Sequence, residues 1–99
     1  LTSKRYLCSH LVSLRCGADV HMVNLEEIWQ TGAVLEGEEP VIEGAPAEIR
    51  CGSVHLFGAI TCVQEHSIGW RIEIEFSPLT PWSPDRFQPE HMLDLSALA

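Results

Sequence analysis

The sequence predicts an all-β domain, and three observations carry that reading. Residues 70–76 alternate strictly, with Trp70, Ile72, Ile74 and Phe76 on one face and Arg71, Glu73 and Glu75 on the other. That is the period of a strand with one buried face. The stretch before it, residues 54–64, is rich in β-branched and aromatic side chains, which suit a pleated, half-buried surface. Turn signals frame both stretches. Gly52-Ser53 lies on one side, where a glycine-first two-residue hairpin turn is favoured, and Glu65-His66-Ser67-Ile68-Gly69 links the two. Segments 47–51, 54–64 and 70–76 therefore form a three-stranded antiparallel meander.

The rest of the chain follows in order. Residues 1–10 form a basic, partly extended arm that carries Lys4 and Arg5, then Tyr6 and Leu7. Residues 11–15 read as the first strand and Gly17-Ala18-Asp19 as a turn. Residues 20–28 read as a second strand with apolar positions at Val20, Met22, Leu25 and Ile28. The alternation breaks near Asn24, and a bulge or kink within 24–27 explains the break. Gly32-Ala33-Val34-Leu35 resumes an apolar run. Residues 36–46 form a loop punctuated by Gly37, Pro40, Gly44 and Pro46, with Val41-Ile42 as a short apolar insert on the rim.

After Phe76 the style changes, because Pro78, Pro81, Pro84 and Pro89 break regular strand structure. Ser83-Pro84-Asp85 has the form of a cap followed by proline at the first helical position. A short helical turn over 85–88 is expected. A second is expected to start at Pro89 and carry His91, Met92, Leu93 and Leu95. This tail holds Trp82, Phe87, Met92, Leu93 and Leu98, enough apolar surface to pack on the strands and plug one open end. A partner-binding motif is the alternative reading of the same stripe.

The 99 residues suffice for one domain, taken as 1–99, and one modest core. Six basic residues against 14 acidic ones give a net charge of −8. That sign argues against a nucleic-acid partner, since duplex binding leans on many Lys and Arg contacts to phosphate. Solubility is the plain reading of the acidity. The sharper one is a basic protein partner, with the denser acidic stretch 36–48 as its docking face. No apolar run approaches the ~20 residues that span a bilayer, so no membrane insertion is expected. No secretory signal is visible, and a first residue of Leu rather than Met leaves open a removed segment. Cys8, Cys16, Cys51 and Cys62 contain no Cys-x-x-Cys pair. Free thiols in a reducing, cytoplasmic compartment are the default for such a chain.

Five histidines and four cysteines invite a metal hypothesis, a metal-holding structural domain. Cys51-x-x-x-His55 and Cys62-x-x-x-His66 repeat one spacing. On a strand that spacing separates the pair by ~13 Å, at ~3.3 Å per residue, which is too far for one ion. Cys8-Ser-His10 is better placed, yet two ligands are not a site, and only a cross-strand cluster would complete one. No Gly-x-Ser-x-Gly elbow, no cysteine with a recognised base and no glycine-rich phosphate loop is present. No enzyme is expected, and no catalytic or metal residue is assigned.

Taken in order and spacing, Gly32-Ala33-Val34-Leu35, Gly44, Ala47-Glu48-Ile49-Arg50, Phe57-Gly58-Ala59-Ile60 and Ile68-Gly69-Trp70-Arg71-Ile72 resemble the PilZ domain family. The resemblance covers roughly residues 5–76. It implies a small antiparallel β-barrel of about six strands (11–77), here with the N-terminal arm (1–10) and a proline-rich tail with a short C-terminal helix (78–99). It also implies a bacterial signalling module, many relatives of which bind the second messenger cyclic di-GMP. In the family an Arg-x-x-x-Arg segment in the arm grips phosphate and stacks on guanine, which suits guanidinium groups. An (Asp/Asn)-x-Ser-x-x-Gly segment on the barrel lets the backbone approach a base edge.

This sequence departs from both motifs. Arg5 is followed four residues later by Ser9, and Lys4 by Cys8. Counting back from Gly32, Glu27 stands at the acidic position and Trp29 at the serine position. A register that begins at Asn24 and Glu26 leaves extra residues before Gly32. The candidate ligand-binding residues are therefore Lys4, Arg5, Glu27, Trp29 and Gly32, in a degenerate form. Loss of a bidentate charged contact costs a few kcal/mol, and ~1.4 kcal/mol is tenfold in affinity. The reading is a PilZ-like adaptor that acts by protein–protein interaction without tight cyclic di-GMP binding. Its partner would belong to motility, secretion or envelope polysaccharide machinery. A receptor with a non-standard site, using Trp29 as a stacking platform, is the competing reading. Free strand edges leave pairing between copies open.

Overall fold

A computed structural model describes the backbone of residues 4–98 and the side chains of residues 4–97. Residues 1–3 of the expected arm and the apolar side chain expected of Leu98 lie outside the described residues. The elements are β1 (Tyr6–Cys16), β2 (Asp19–Trp29), β3 (Gly32–Gly37), β4 (Pro46–Cys51), β5 (Val54–His66), β6 (Gly69–Phe76), β7 (Leu93–Asp94) and a 3-10 turn (Leu95–Leu98). All pairings are antiparallel. The first six strands run in the order β2-β3-β6-β5-β4-β1, and β1 pairs back on β2, which closes a six-stranded barrel. Closure removes the sheet edges that would otherwise invite pairing with other chains.

The meander forms as its alternation dictates. Gly52 takes a positive φ of 60° in a two-residue turn, with Cys51 paired to Val54. β5 and β6 meet at an equally tight turn, His66 opposite Gly69, so both strands run slightly longer than the sequence suggests. Ile72, Ile74 and Phe76 are buried, and Glu75 is exposed. Leu14, Leu25, Ile28, Leu35, Ile49 and Leu56 meet them inside the barrel, each fully buried. The expected irregularity in the second strand is a β-bulge, a register shift between Leu25 and Glu27. In the 36–46 segment, β3 continues to Gly37. Beyond it Val41 packs on the core while Ile42 stays 77% exposed.

Three expectations are corrected. The described part of the arm is no free arm. Tyr6 begins a continuous eleven-residue strand whose first two residues are paired on both sides. Its inward series is Tyr6, Cys8, His10, Val12 and Leu14, and its outward series includes Leu7 and Leu11, both exposed. A polar His inside and two Leu outside blur the hydrophobic alternation, so the sequence pattern places the start of the strand at Leu11. In the second strand Val20 and Met22 are exposed, and the buried positions are Val23, Leu25 and Ile28. The bulge shifts the phase, so a face counted back from Ile28 at period 2 is the wrong one upstream. The tail, finally, is less helical than expected. One turn at Ser83, held by Arg86 N–H to Ser83 O at 3.0 Å, replaces the first helix. The second is replaced by β7, where Leu93 pairs with Leu7 and Asp94 with Tyr6, before the 3-10 turn.

The tail nevertheless plugs the barrel. Trp82 is only 2% exposed and belongs to the core. Its indole N–H donates to Phe87 O at 2.9 Å, and its backbone N–H donates to Gln30 O at 2.9 Å. Tyr6 packs against it edge-on, with centroids 5.6 Å apart, and Phe87 and Met92 lie against the same cluster. A buried indole whose N–H is satisfied is the favourable way to bury tryptophan.

Candidate functional site

The pairing of β1 with the far end of β2 sets the site. Tyr6 stands opposite Ile28 and Leu7 opposite Glu27, so the residues before Tyr6 pass over the β2 terminus. Leu95 N–H donates to Arg5 O at 3.0 Å and holds that segment down. Arg5 Cζ then lies 3.9 Å from the centroid of the Trp29 ring. Its Nη1 donates to Glu27 Oε1 at 3.1 Å. Arg5 is thus stacked on an aromatic face and paired with a carboxylate at once, the two partners that a guanidinium seeks in a ligand.

Gly32 completes the cluster from across the hairpin, directly opposite Trp29. A Cβ on Gly32 would lie 2.6 Å from Ile74 O and 2.9 Å from Trp29 Cζ2. The open side of the glycine is occupied by the chain's own indole. Lys4 takes another course. Its Nζ lies 3.4 Å from Asp94 Oδ2 in β7. Hydrogen bonds from the Ser96 hydroxyl and backbone, then Lys4, hold the Asp94 carboxyl below its ordinary range. Ser9, four residues after Arg5, donates to Asn24 Oδ1 at 3.4 Å. The structure therefore brings Arg5, Glu27, Trp29 and Gly32 into one cluster and draws Lys4 to the tail.

The acidic stretch 36–48 does not form a single face. Glu43 accepts the Val63 N–H at 2.9 Å, and Glu48 is paired with His55, whose ring stacks beside Phe57. Glu36 and Glu38 turn to a different place, an open groove of about 510 Å³ on the outside of β1, β2 and β3. Leu11, Met22 and Ile68 line it with Glu26. The sequence pattern does not reveal this groove, because it marks Leu11 and Met22 only as apolar positions of strands without saying which face they take. Correct phase in β2 is the signal that would have turned Met22 outward. A second cleft, of about 730 Å³, lies between the β1–β2 turn and the loop after β3, lined by Val20, His21, Pro40 and Ile42.

All four cysteines are free. Burial, then the neighbouring Cys51, pushes Cys8 up to about 12, and burial pushes Cys51 up to about 11. Cys16 and Cys62 are also raised, by desolvation first and then by Asp19 and Glu73 respectively. A thiol kept protonated is a poor nucleophile and a poor metal ligand. Among the described residues, no three of His, Cys, Asp and Glu gather as a metal site requires, and no helix is long and apolar enough to cross a membrane. No protein-family model matches the chain, and no curated protein matches it.

Proposed function

We propose that the chain is a PilZ-like adaptor, a cytoplasmic bacterial module that docks on a protein partner and does not bind cyclic di-GMP tightly. One observation supports this above the rest: Arg5 is spent internally, stacked on Trp29 and paired with Glu27. A dinucleotide would have to displace Glu27 from the guanidinium and the guanidinium from the indole, with no second arginine to compensate. Each exchanged charged contact is worth a few kcal/mol, and ~1.4 kcal/mol is tenfold in affinity. The partner expected from the resemblance belongs to motility, secretion or envelope polysaccharide machinery.

Calorimetric titration of the domain with cyclic di-GMP at low salt tests the reading. A flat trace up to hundreds of micromolar is the expected result. Saturating heat with a micromolar constant, lost in Arg5→Ala, overturns it and makes the Arg5–Trp29 pair a non-standard receptor site.

A further inference from the structure

The groove on β1, β2 and β3 has a composition that commits it to one kind of occupant. Its apolar part is Leu11, 64% exposed, Met22, 59% exposed, and Ile68, 90% exposed at the β5–β6 turn. None of the three contributes to the barrel core. Apolar side chains grouped in one concavity of a closed barrel mark an interaction surface more often than scattered ones do. Methionine adds an adaptable, polarizable contact.

The acidic part is Glu26, Glu36 and Glu38. Glu26 is the residue that the bulge extrudes from β2. Its carboxyl faces that of Glu36 across the strands, and partial burial followed by this neighbour raises it above the ordinary carboxylate range. The groups facing this pair are few. Arg71 stands opposite Glu36 in β6 and acts on Glu26, His66 Nδ1 lies 3.9 Å from Glu36, and Asn24 hydrogen-bonds Glu26. Three carboxylates against one arginine and one imidazole leave the groove acidic, in a chain of net charge −8.

We propose that this groove docks a basic amphipathic segment of a partner protein, an apolar side chain seated on Leu11, Met22 and Ile68 with flanking Lys or Arg set between Glu26, Glu36 and Glu38. The proposal rests on the adaptor reading and supplies the chemistry of the partner. The partner's cation relieves the crowding of like charge, and its apolar side chain covers surface that the fold leaves wet. Interfaces of this kind take affinity from the apolar centre and selectivity from complementary charge. A second copy of this acidic chain is disfavoured by the same charge.

The test uses the isotope-labelled protein and three synthetic peptides of equal length, alternating Leu/Lys, Leu/Glu and Ser/Lys, followed by NMR. The Leu/Lys peptide is expected to shift the methyl signals of Leu11, Met22 and Ile68 saturably. The other two should bind at least about tenfold more weakly, a difference of ~1.4 kcal/mol. Met22→Ser, and separately Glu36→Gln with Glu38→Gln, should each weaken the Leu/Lys peptide by about tenfold while the spectrum stays that of the folded barrel. Shifts centred elsewhere, equal binding of Ser/Lys, binding unchanged in the variants, or self-association through these methyl groups overturns the proposal. Cyclic di-GMP added to the same sample separates the two readings. A silent nucleotide with no groove binding overturns the groove alone, whereas a nucleotide response at Trp29 overturns the adaptor reading itself.

Discussion

The cluster around Trp29 and the groove around Met22 share strands β2 and β3, and they treat charge in opposite ways. At the strand ends, Arg5 finds both an aromatic face and a carboxylate. In the groove, two glutamates face each other and apolar side chains stand in water. The consecutive residues Glu26 and Glu27 divide between the two places. A regular strand would send them to opposite faces, one inward. The bulge lets both face outward, between the buried Leu25 and Ile28. One inserted residue thus feeds an internally satisfied site and an unsatisfied one. Self-complementary surface tends to be structural, and surface that keeps its charge and apolar area unpaired is where a partner gains most.

The sharpest way to break the closed cluster is Gly32→Ala. The new methyl would meet a backbone carbonyl, Ile74 O, at 2.6 Å and the Trp29 ring at 2.9 Å. Neither contact is tolerable, so the β3–β6 ladder or the indole must move. Overpacking of this kind costs about 1–3 kcal/mol. Urea denaturation should show that loss, and the Trp29 indole N–H resonance should shift as the ring leaves Arg5. Unchanged stability would mean that the cluster is looser than its geometry. The groove methyl signals, on another stretch of β1 and β2, should stay in place.

Arg5→Ala is a smaller perturbation of the same cluster. It removes an exposed ion pair, worth about 0–1 kcal/mol, and an exposed cation–π contact, worth about 0.5–1 kcal/mol. A net loss of about 1 kcal/mol in urea is expected. Arg5→Lys should fall between, because an ammonium keeps the charge but not the planar stack. The part owed to Glu27 should shrink at high salt. Equal losses for both substitutions at all salt concentrations would assign the stability to packing of the stem rather than to charge and stacking.

How much of this was legible in the sequence depends on where the phase of each strand is pinned. Residues 70–76 and the Gly52 turn announce themselves, since four apolar residues alternate with three charged ones and a glycine sits where φ is positive. The bulge showed only as a broken pattern at Asn24. A broken pattern does not say which side of the break is out of phase, so the face of Met22 stayed open. The opening strand was hidden because His10 faces inward and Leu7 and Leu11 outward. Arg5, Glu27, Trp29 and Gly32 were nameable from a family-like frame, and their meeting follows from β1 pairing with the end of β2. That Arg5 covers Trp29 was not legible, because it depends on the backbone course before Tyr6, which the tail holds through Leu95. The groove draws on four separated segments, and no local pattern joins them.

The smallest expected effect has the opposite sign and belongs to the groove. Desolvation and Glu36 raise Glu26 above the ordinary carboxylate value of 4.5, against the lowering influence of Asn24 and Arg71. The folded protein therefore holds this proton more tightly than the unfolded chain does. Stability from this group is fully present below the ordinary carboxylate value and declines as pH rises through the raised one. Glu26→Gln removes the charge and keeps an amide to bond Glu36 and Asn24. At neutral pH the variant should be more stable than the parent by a few tenths of a kcal/mol, a size limited by solvent screening of a half-exposed group. The advantage should vanish at about pH 4 and below, where the parent carboxyl is itself protonated. Paired urea midpoints at the two pH values decide it. A destabilised variant at neutral pH would show that the Arg71 attraction outweighs the Glu36 repulsion. The groove would then be as satisfied internally as the cluster around Trp29, and the contrast between the two regions would fail.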